Sequence, residues 1–191
     1  MTSAFTNGGQ IEVAAGATFM GSNPIFVNEG TLAGRGSYAT HVNGDIVNRG
    51  AIIPGTAGTT GLLSFVGDLD LDEATPGTLN FDLASLTDFD VIAVSDDVTL
   101  GGGIVVSNAG YNAVIGDRFV VLTFDQRVGG ATFTGLTTQG FGAGVAFNVI
   151  YNLHDVTLEV AAVPEPETWG MLLAGLGMVG VAVRRRRLRM A

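Results

Sequence analysis

The chain has 191 residues, enough for one globular unit with an appendage. Hydrophobic residues make up 47% of it and charged residues 14%, which excludes an acidic disordered polymer, and 29 glycines weigh against a helical body because glycine weakens helix interiors. Cysteine and lysine are absent, and residues 1–163 hold 16 acids against 4 arginines, a formal charge of −12, which excludes disulfide frameworks and thiolate metal sites and makes phosphate-bearing nucleic acid an unsuitable partner.

In chain order, the first predicted elements are repeats. FTNGGQI begins at Phe5, FVNEGTL at Phe26 and IVNRGAI at Ile46, so that Asn7, Asn28 and Asn48 are 21 and 20 residues apart and Gly9, Gly30 and Gly50 follow in step. A period near 20 predicts one β-solenoid coil per repeat over residues 1–61. Short strands would turn at asparagine and glycine, which accept left-handed backbone conformations cheaply. The three asparagines would stack as a hydrogen-bonded ladder at the inter-strand spacing of about 4.8 Å. The first copy starts four residues into the chain, and Met1 to Phe5 has neither a basic start nor a long apolar run. An export signal and further repeats are therefore expected upstream.

Over residues 62–162 the pattern is one of brief alternating strands. Leu69 and Leu71 alternate with Asp68, Asp70 and Asp72, Leu79 and Phe81 with Asn80 and Asp82, and Val98 and Leu100 flank Thr99. Gly101, Gly102 and Gly103, then Asn108 to Gly110, then Gly129 and Gly130 supply turns. The segment FDVIAVSDDVTLGGGIVV, followed by GDRFVVLTF and NVIYNLHDVTLEV, resembles the C-terminal part of autotransporter-type passenger domains. That resemblance implies the last coils and cap of a right-handed parallel β-helix. A β-sandwich is the alternative architecture, although it does not predict an asparagine repeat.

Residues 163–191 read VPEPETWGMLLAGLGMVGVAVRRRRLRMA. Residues 169–183 carry no charge and, as a helix, would span about 22 Å against a hydrocarbon core of about 30 Å. Snorkelling arginines, Trp169 at the opposite interface and local thinning of the bilayer make such a span tolerable. A buried C-terminal helix and an interfacial helix are the alternatives and fit poorly, the interfacial one because it would need a polar face that this run lacks. Positive residues stay cytoplasmic, so the C-terminus is expected inside and the acidic body outside.

The ordered elements, Val163-Pro164-Glu165-Pro166-Glu167, then the apolar run, then Arg184, Arg185, Arg186 and Arg187, resemble the PEP-CTERM protein-sorting signal of Gram-negative bacteria. The resemblance implies that Pro164, Glu165 and Pro166 are the signature, residues 168–183 the membrane segment and the four arginines the cytoplasmic stop. It further implies that exosortase, a membrane-embedded transpeptidase, is the partner, so that these residues act as substrate.

Catalytic chemistry is scarce. Without lysine there is no P-loop or Schiff base, and without cysteine no thiol nucleophile. His41 and His154 are the two histidines; His154-Asp155 is read as strand, where adjacent side chains face opposite ways and make a poor dyad. Ser37, Ser64, Ser95 and Ser107 lack a nucleophile elbow, and the Gly34-x-Gly36 and Gly101 to Gly103 glycines precede no helix. Asp68, Asp70 and Asp72 are weak candidates for an extracellular calcium ion, but Glu73 and Leu79 break the EF-hand pattern, so a solvated strand face is the preferred reading; Asp88, Asp90, Asp96 and Asp97 are read likewise. No cofactor is expected.

The chain is thus expected to be all-β: a right-handed parallel β-helix with a β cap, then one C-terminal transmembrane helix. The expected function is non-enzymatic: an inner-membrane-anchored precursor that becomes a cell-surface or extracellular-matrix protein, structural or adhesive, with polysaccharide as a candidate partner. The alternative is a polysaccharide-active enzyme or carbohydrate-binding module on a β-helix. The 14-residue offset of Arg35 and Arg49 does not match the repeat and disfavours an aligned catalytic groove.

Overall fold

The computed structural model describes residues 4–41, 44–56, 58–71, 75 and 77–163. These residues wind into stacked coils, each contributing one strand to each of three sheets. The first coil is β1 (Phe5–Asn7), β2 (Gln10–Val13) and β3 (Thr18–Gly21). The second is β4 (Ile25–Asn28), β5 (Thr31–Gly34) and β6 (Ser37–Thr40), and the third β7 (Asp45–Asn48), β8 (Ala51–Pro54) and β9 (Leu62–Val66). The fourth comprises β10 (Leu69–Asp70), β11 (Thr78–Ser85), a short β12 (Asp88–Phe89) folded back on β11, and β13 (Val91–Val94). The fifth is β14 (Asp97–Thr99), β15 (Gly103–Asn108) and β16 (Arg118–Thr123); the sixth begins with β17 (Gln126–Val128) and β18 (Gly135–Gln139).

Pairing between coils is parallel in all three sheets, which rules out the antiparallel β-sandwich. The chain then changes direction. β19 (Val145–Tyr151) and β20 (Asp155–Ala162) form an antiparallel hairpin, and β20 docks antiparallel on β16. This hairpin closes the edge of the third sheet, where β16 would otherwise present unpaired N–H and C=O groups.

The core is built from columns of inward side chains. Phe5, Phe26, Ile46, Leu69 and Val98 stack in the first sheet, Ile11, Leu32, Ile52, Leu79 and Ile104 in the second, and Phe19, Tyr38, Phe65 and Val94 in the third. Side chains alternate across each strand, so one residue in two enters this stack. Each fully buried Phe or Leu contributes on the order of 1.5–3 kcal/mol. Tyr38 brings a polar atom into the stack and satisfies it: its hydroxyl lies 2.7 Å from Ile11 O and 2.9 Å from Ala33 O and accepts Ala33 N–H at 3.1 Å. Burial pushes its pKa up to about 12.

Partners in the first sheet, from Phe5 through Phe26, Ile46, Leu69 and Val98 to Arg127, step by 21, 20, 23, 29 and 29 residues. Coiling therefore continues across Gly61, and the later coils are longer. No helix among the described residues is long and apolar enough to cross a membrane; the transmembrane helix expected over 168–183 lies outside the described residues.

Candidate functional site

Three places on the molecule bear on function: the asparagine ladder, the carboxylates of the coil faces, and the point where the chain leaves the body. In the ladder, Asn7 Nδ2 donates to Asn28 Oδ1 at 2.8 Å and Asn28 Nδ2 to Asn48 Oδ1 at 2.7 Å. Each Nδ2 also reaches the carbonyl of its own Asn-x-Gly turn, at Gly9, Gly30 and Gly50. All three asparagines are buried, and a column of mutually satisfied amides is the arrangement that makes such burial tolerable. Following the register one residue beyond Leu69 and Asp70, the column continues as buried Leu71 and then Leu100, so the polar ladder ends with the third coil.

The turn glycines have a different role from the expected one. Gly9, Gly30 and Gly50 do not have positive φ. Instead, a Cβ on Gly30 would lie 2.0 Å from Gly9 O, one on Gly50 2.1 Å from Gly30 O, and one on Gly77 2.0 Å from Gly50 O. The glycines stack backbone on backbone, and no side chain fits between them.

The carboxylates divide into two groups. Asp45, Asp68, Asp70 and Asp97 line a shallow cleft of about 210 Å³ on the first sheet, where Asp68 Oδ1 accepts Asp97 N–H at 3.0 Å. Asp72 lies outside the described residues. Among the described residues, no three histidine or acidic side chains converge on a point that a metal ion would fill.

Asp90, by contrast, is fully buried, which corrects the expectation of a solvated face. The chain leaves the second sheet at Pro54, so part of β11 has no third-coil neighbour. Asp90 fills the gap: Oδ2 accepts Asp82 N–H at 2.8 Å and Oδ1 accepts Gly61 N–H at 2.6 Å. Around it, Asp82 Oδ2 accepts Gly58 N–H at 2.6 Å, Thr60 donates its hydroxyl to Asp88, and the Arg35 guanidinium donates twice to Thr60 O at 2.8 and 2.9 Å. Burial pushes the Asp90 carboxyl up to about 7, against the pull of its two N–H donors and of Arg35.

His154 also departs from expectation. It sits in the tight turn between β19 and β20, where Nδ1 contacts Asp125 O, and Asp155 opens β20 with its carboxylate engaged by Asn152 Nδ2 at 2.7 Å and Thr157 Oγ1 at 2.8 Å. The two side chains serve separate turns and form no dyad.

The body ends at β20, which is hydrogen-bonded on both sides, by β16 and by β19. Val163 N–H still donates to Gly144 O at 3.0 Å. The very next residue is Pro164. Pro164, Glu165, Pro166 and Arg184, Arg185, Arg186 and Arg187 lie outside the described residues. The described chain is thus a rod of parallel coils, closed by a hairpin whose last strand runs directly into the tail.

The family of the PEP-CTERM protein-sorting motif matches residues 162–187. This chain carries that motif, which marks an exported protein, membrane-anchored as a precursor and processed by an exosortase. No curated protein matches the chain. The match begins at Ala162, the last residue of β20, so folded body and motif adjoin without a linker.

Proposed function

We propose that the chain is a non-enzymatic surface protein: a right-handed β-solenoid rod, exported with its C-terminus held on the cytoplasmic side, then released by exosortase to a structural or adhesive role in the exopolysaccharide matrix. The observation that carries this reading is the sorting motif at residues 162–187, joined directly to a closed, hydrogen-bonded body. Right-handed coiling is the sense that parallel crossovers adopt in almost every case. The acidic exterior and the stacked amides of Asn7, Asn28 and Asn48 support a load-bearing or spacing role over a reactive one.

The test is cell fractionation in a host that possesses the exosortase. Carried by an N-terminal export signal, the full chain is expected in the membrane fraction as precursor and at the surface or in the medium as a shortened form, whereas the same chain lacking residues 164–191 should be soluble outside the inner membrane. A signal-bearing full chain that is neither held in the membrane fraction nor shortened in that host would overturn the proposal. Release of reducing ends from an acidic polysaccharide by the purified body would replace it with the enzymatic reading.

A further inference from the structure

The end of the body from which the tail departs carries an apolar tip. Val114 and Ile115 are 56% and 70% exposed, on a turn at 114–117 that Asp117 N–H closes onto Val114 O at 3.1 Å. Gly116, with φ of +94°, supplies the left-handed residue that the turn requires. A built frame holds this turn. The Tyr111 hydroxyl donates to Asp117 Oδ2 and accepts Val114 N–H at 3.2 Å, while the Tyr111 ring packs edge-on against Phe119 with centroids 5.0 Å apart. Two large branched side chains are therefore fixed in a solvent-facing position.

The register places this tip beside the chain exit. Gly116 N–H donates to Val160 O and Val160 N–H to Asp117 O, both at 2.9 Å, and three residues later comes Val163, itself 44% exposed. Beside the tip, Arg118 meets Glu159 at 2.7 Å, and the Asp117 carboxylate accepts the Tyr111 hydroxyl. Around the exit, then, the named charges leave one net negative charge, at Asp117, whereas residues 1–163 as a whole carry −12. From Val163, the uncharged run beginning at Trp169 is six residues away, a reach of at most about 20 Å. Val114, Ile115 and Val163 are thus exposed apolar groups at the same strand end as the chain exit, and exposed apolar patches are a mark of protein or membrane interaction sites.

We propose that Val114, Ile115 and Val163 form a lipid-docking tip that seats at the headgroup and acyl boundary of the bilayer and holds the precursor's body against the membrane. The proposal rests on the reading of residues 169–183 as the membrane segment. Leu153 is the internal contrast. It is 77% exposed but sits in the turn at the opposite end of β20, a strand length of about 26 Å away.

The absence of native cysteine allows single labels on the full chain. A polarity-sensitive dye is placed on Ile115→Cys, Val114→Cys, Leu153→Cys or Val179→Cys, and each labelled chain is reconstituted into phosphatidylethanolamine and phosphatidylglycerol liposomes containing spin-labelled lipids. Nitroxides near the headgroups are expected to quench the dyes at 114 and 115 and leave the dye at 153 bright, while mid-chain nitroxides quench the dye at 179. Quenching at 179 with none at 114 or 115 overturns the docking tip alone; equal quenching at 115 and 153 overturns it as well. No quenching at any position overturns both the membrane reading of the tail and the tip that depends on it. Protection at 115 in native inner-membrane vesicles but not in protein-free liposomes assigns the tip to a protein partner and overturns the lipid assignment.

Discussion

Replacing Asn28 with alanine removes the middle rung of the ladder and leaves Asn48 Oδ1 without the donor it has at 2.7 Å. A buried polar group stripped of its partner costs about 1–3 kcal/mol, and two rungs are lost, so urea unfolding of Asn28→Ala is expected to show a loss of about 2–4 kcal/mol. Gly50→Ala should be at least as damaging, because its Cβ would meet a backbone carbonyl at 2.1 Å, whereas Gly8→Ala, with nothing within 4 Å, should be nearly silent in the same assay. The Asn-x-Gly repeat is readable in the sequence because period and residue type coincide. The reason for the glycine is not: close approach and left-handed backbone demand the same residue, and only the coil above distinguishes them. Asp90 was illegible for a related cause. Asp88 and Asp90 look alike along the chain, and what separates them is a pair of N–H groups, at Asp82 and Gly61, that lie 8 and 29 residues away. An acid whose pKa rises from its ordinary 3.8 to about 7 on folding contributes stability that is complete below 3.8 and is lost as pH rises through about 7. The stability difference between wild type and Asp90→Asn should therefore shrink from pH 4 to pH 7 in chemical denaturation; a difference that widens over this window would count against the assignment.

At the scale of elements, the sequence period fades where the coils lengthen. The first two coils differ by only a residue, so identical positions recur at 21 and 20; the next step is 23, and the two steps of 29 after it absorb the β11–β12 fold-back and the turns around residues 109–117. Inward alternation survives this lengthening, since the strand core still reads one apolar residue in two, as in the buried Leu79, Phe81 and Leu83 of β11. Strands were thus legible throughout, but their stacking was legible only over the short coils. The turn before β16 follows the same logic, with Tyr111 tying together residues that have no sequence signature in common. Tyr111→Phe removes the hydroxyl that bridges Val114 and Asp117. Hydrogen exchange at residues 114–117 should then accelerate, with a global loss of about 0.5–1.5 kcal/mol.

For the molecule as a whole, each coil touches only its neighbours, and stability is close to a sum of coil and interface terms. Damage should therefore stay local. In exchange mass spectrometry, Gly50→Ala is expected to expose peptides of the second to fourth coils while β16, β19 and β20 keep wild-type protection; uniform loss of protection would show an all-or-none body instead. Asymmetry between the two ends has a further consequence for biosynthesis. A polypeptide threaded out of the cell N-terminus first can lay down its coils one upon another as they emerge, but the edge of β16 stays open until residues 155–162 arrive. On the proposed topology, those are among the last residues to emerge before the tail segment. On that topology, completion of folding therefore draws on the stretch of chain that lies next to the held tail, so the last edge of the body closes only when that stretch is free to pair.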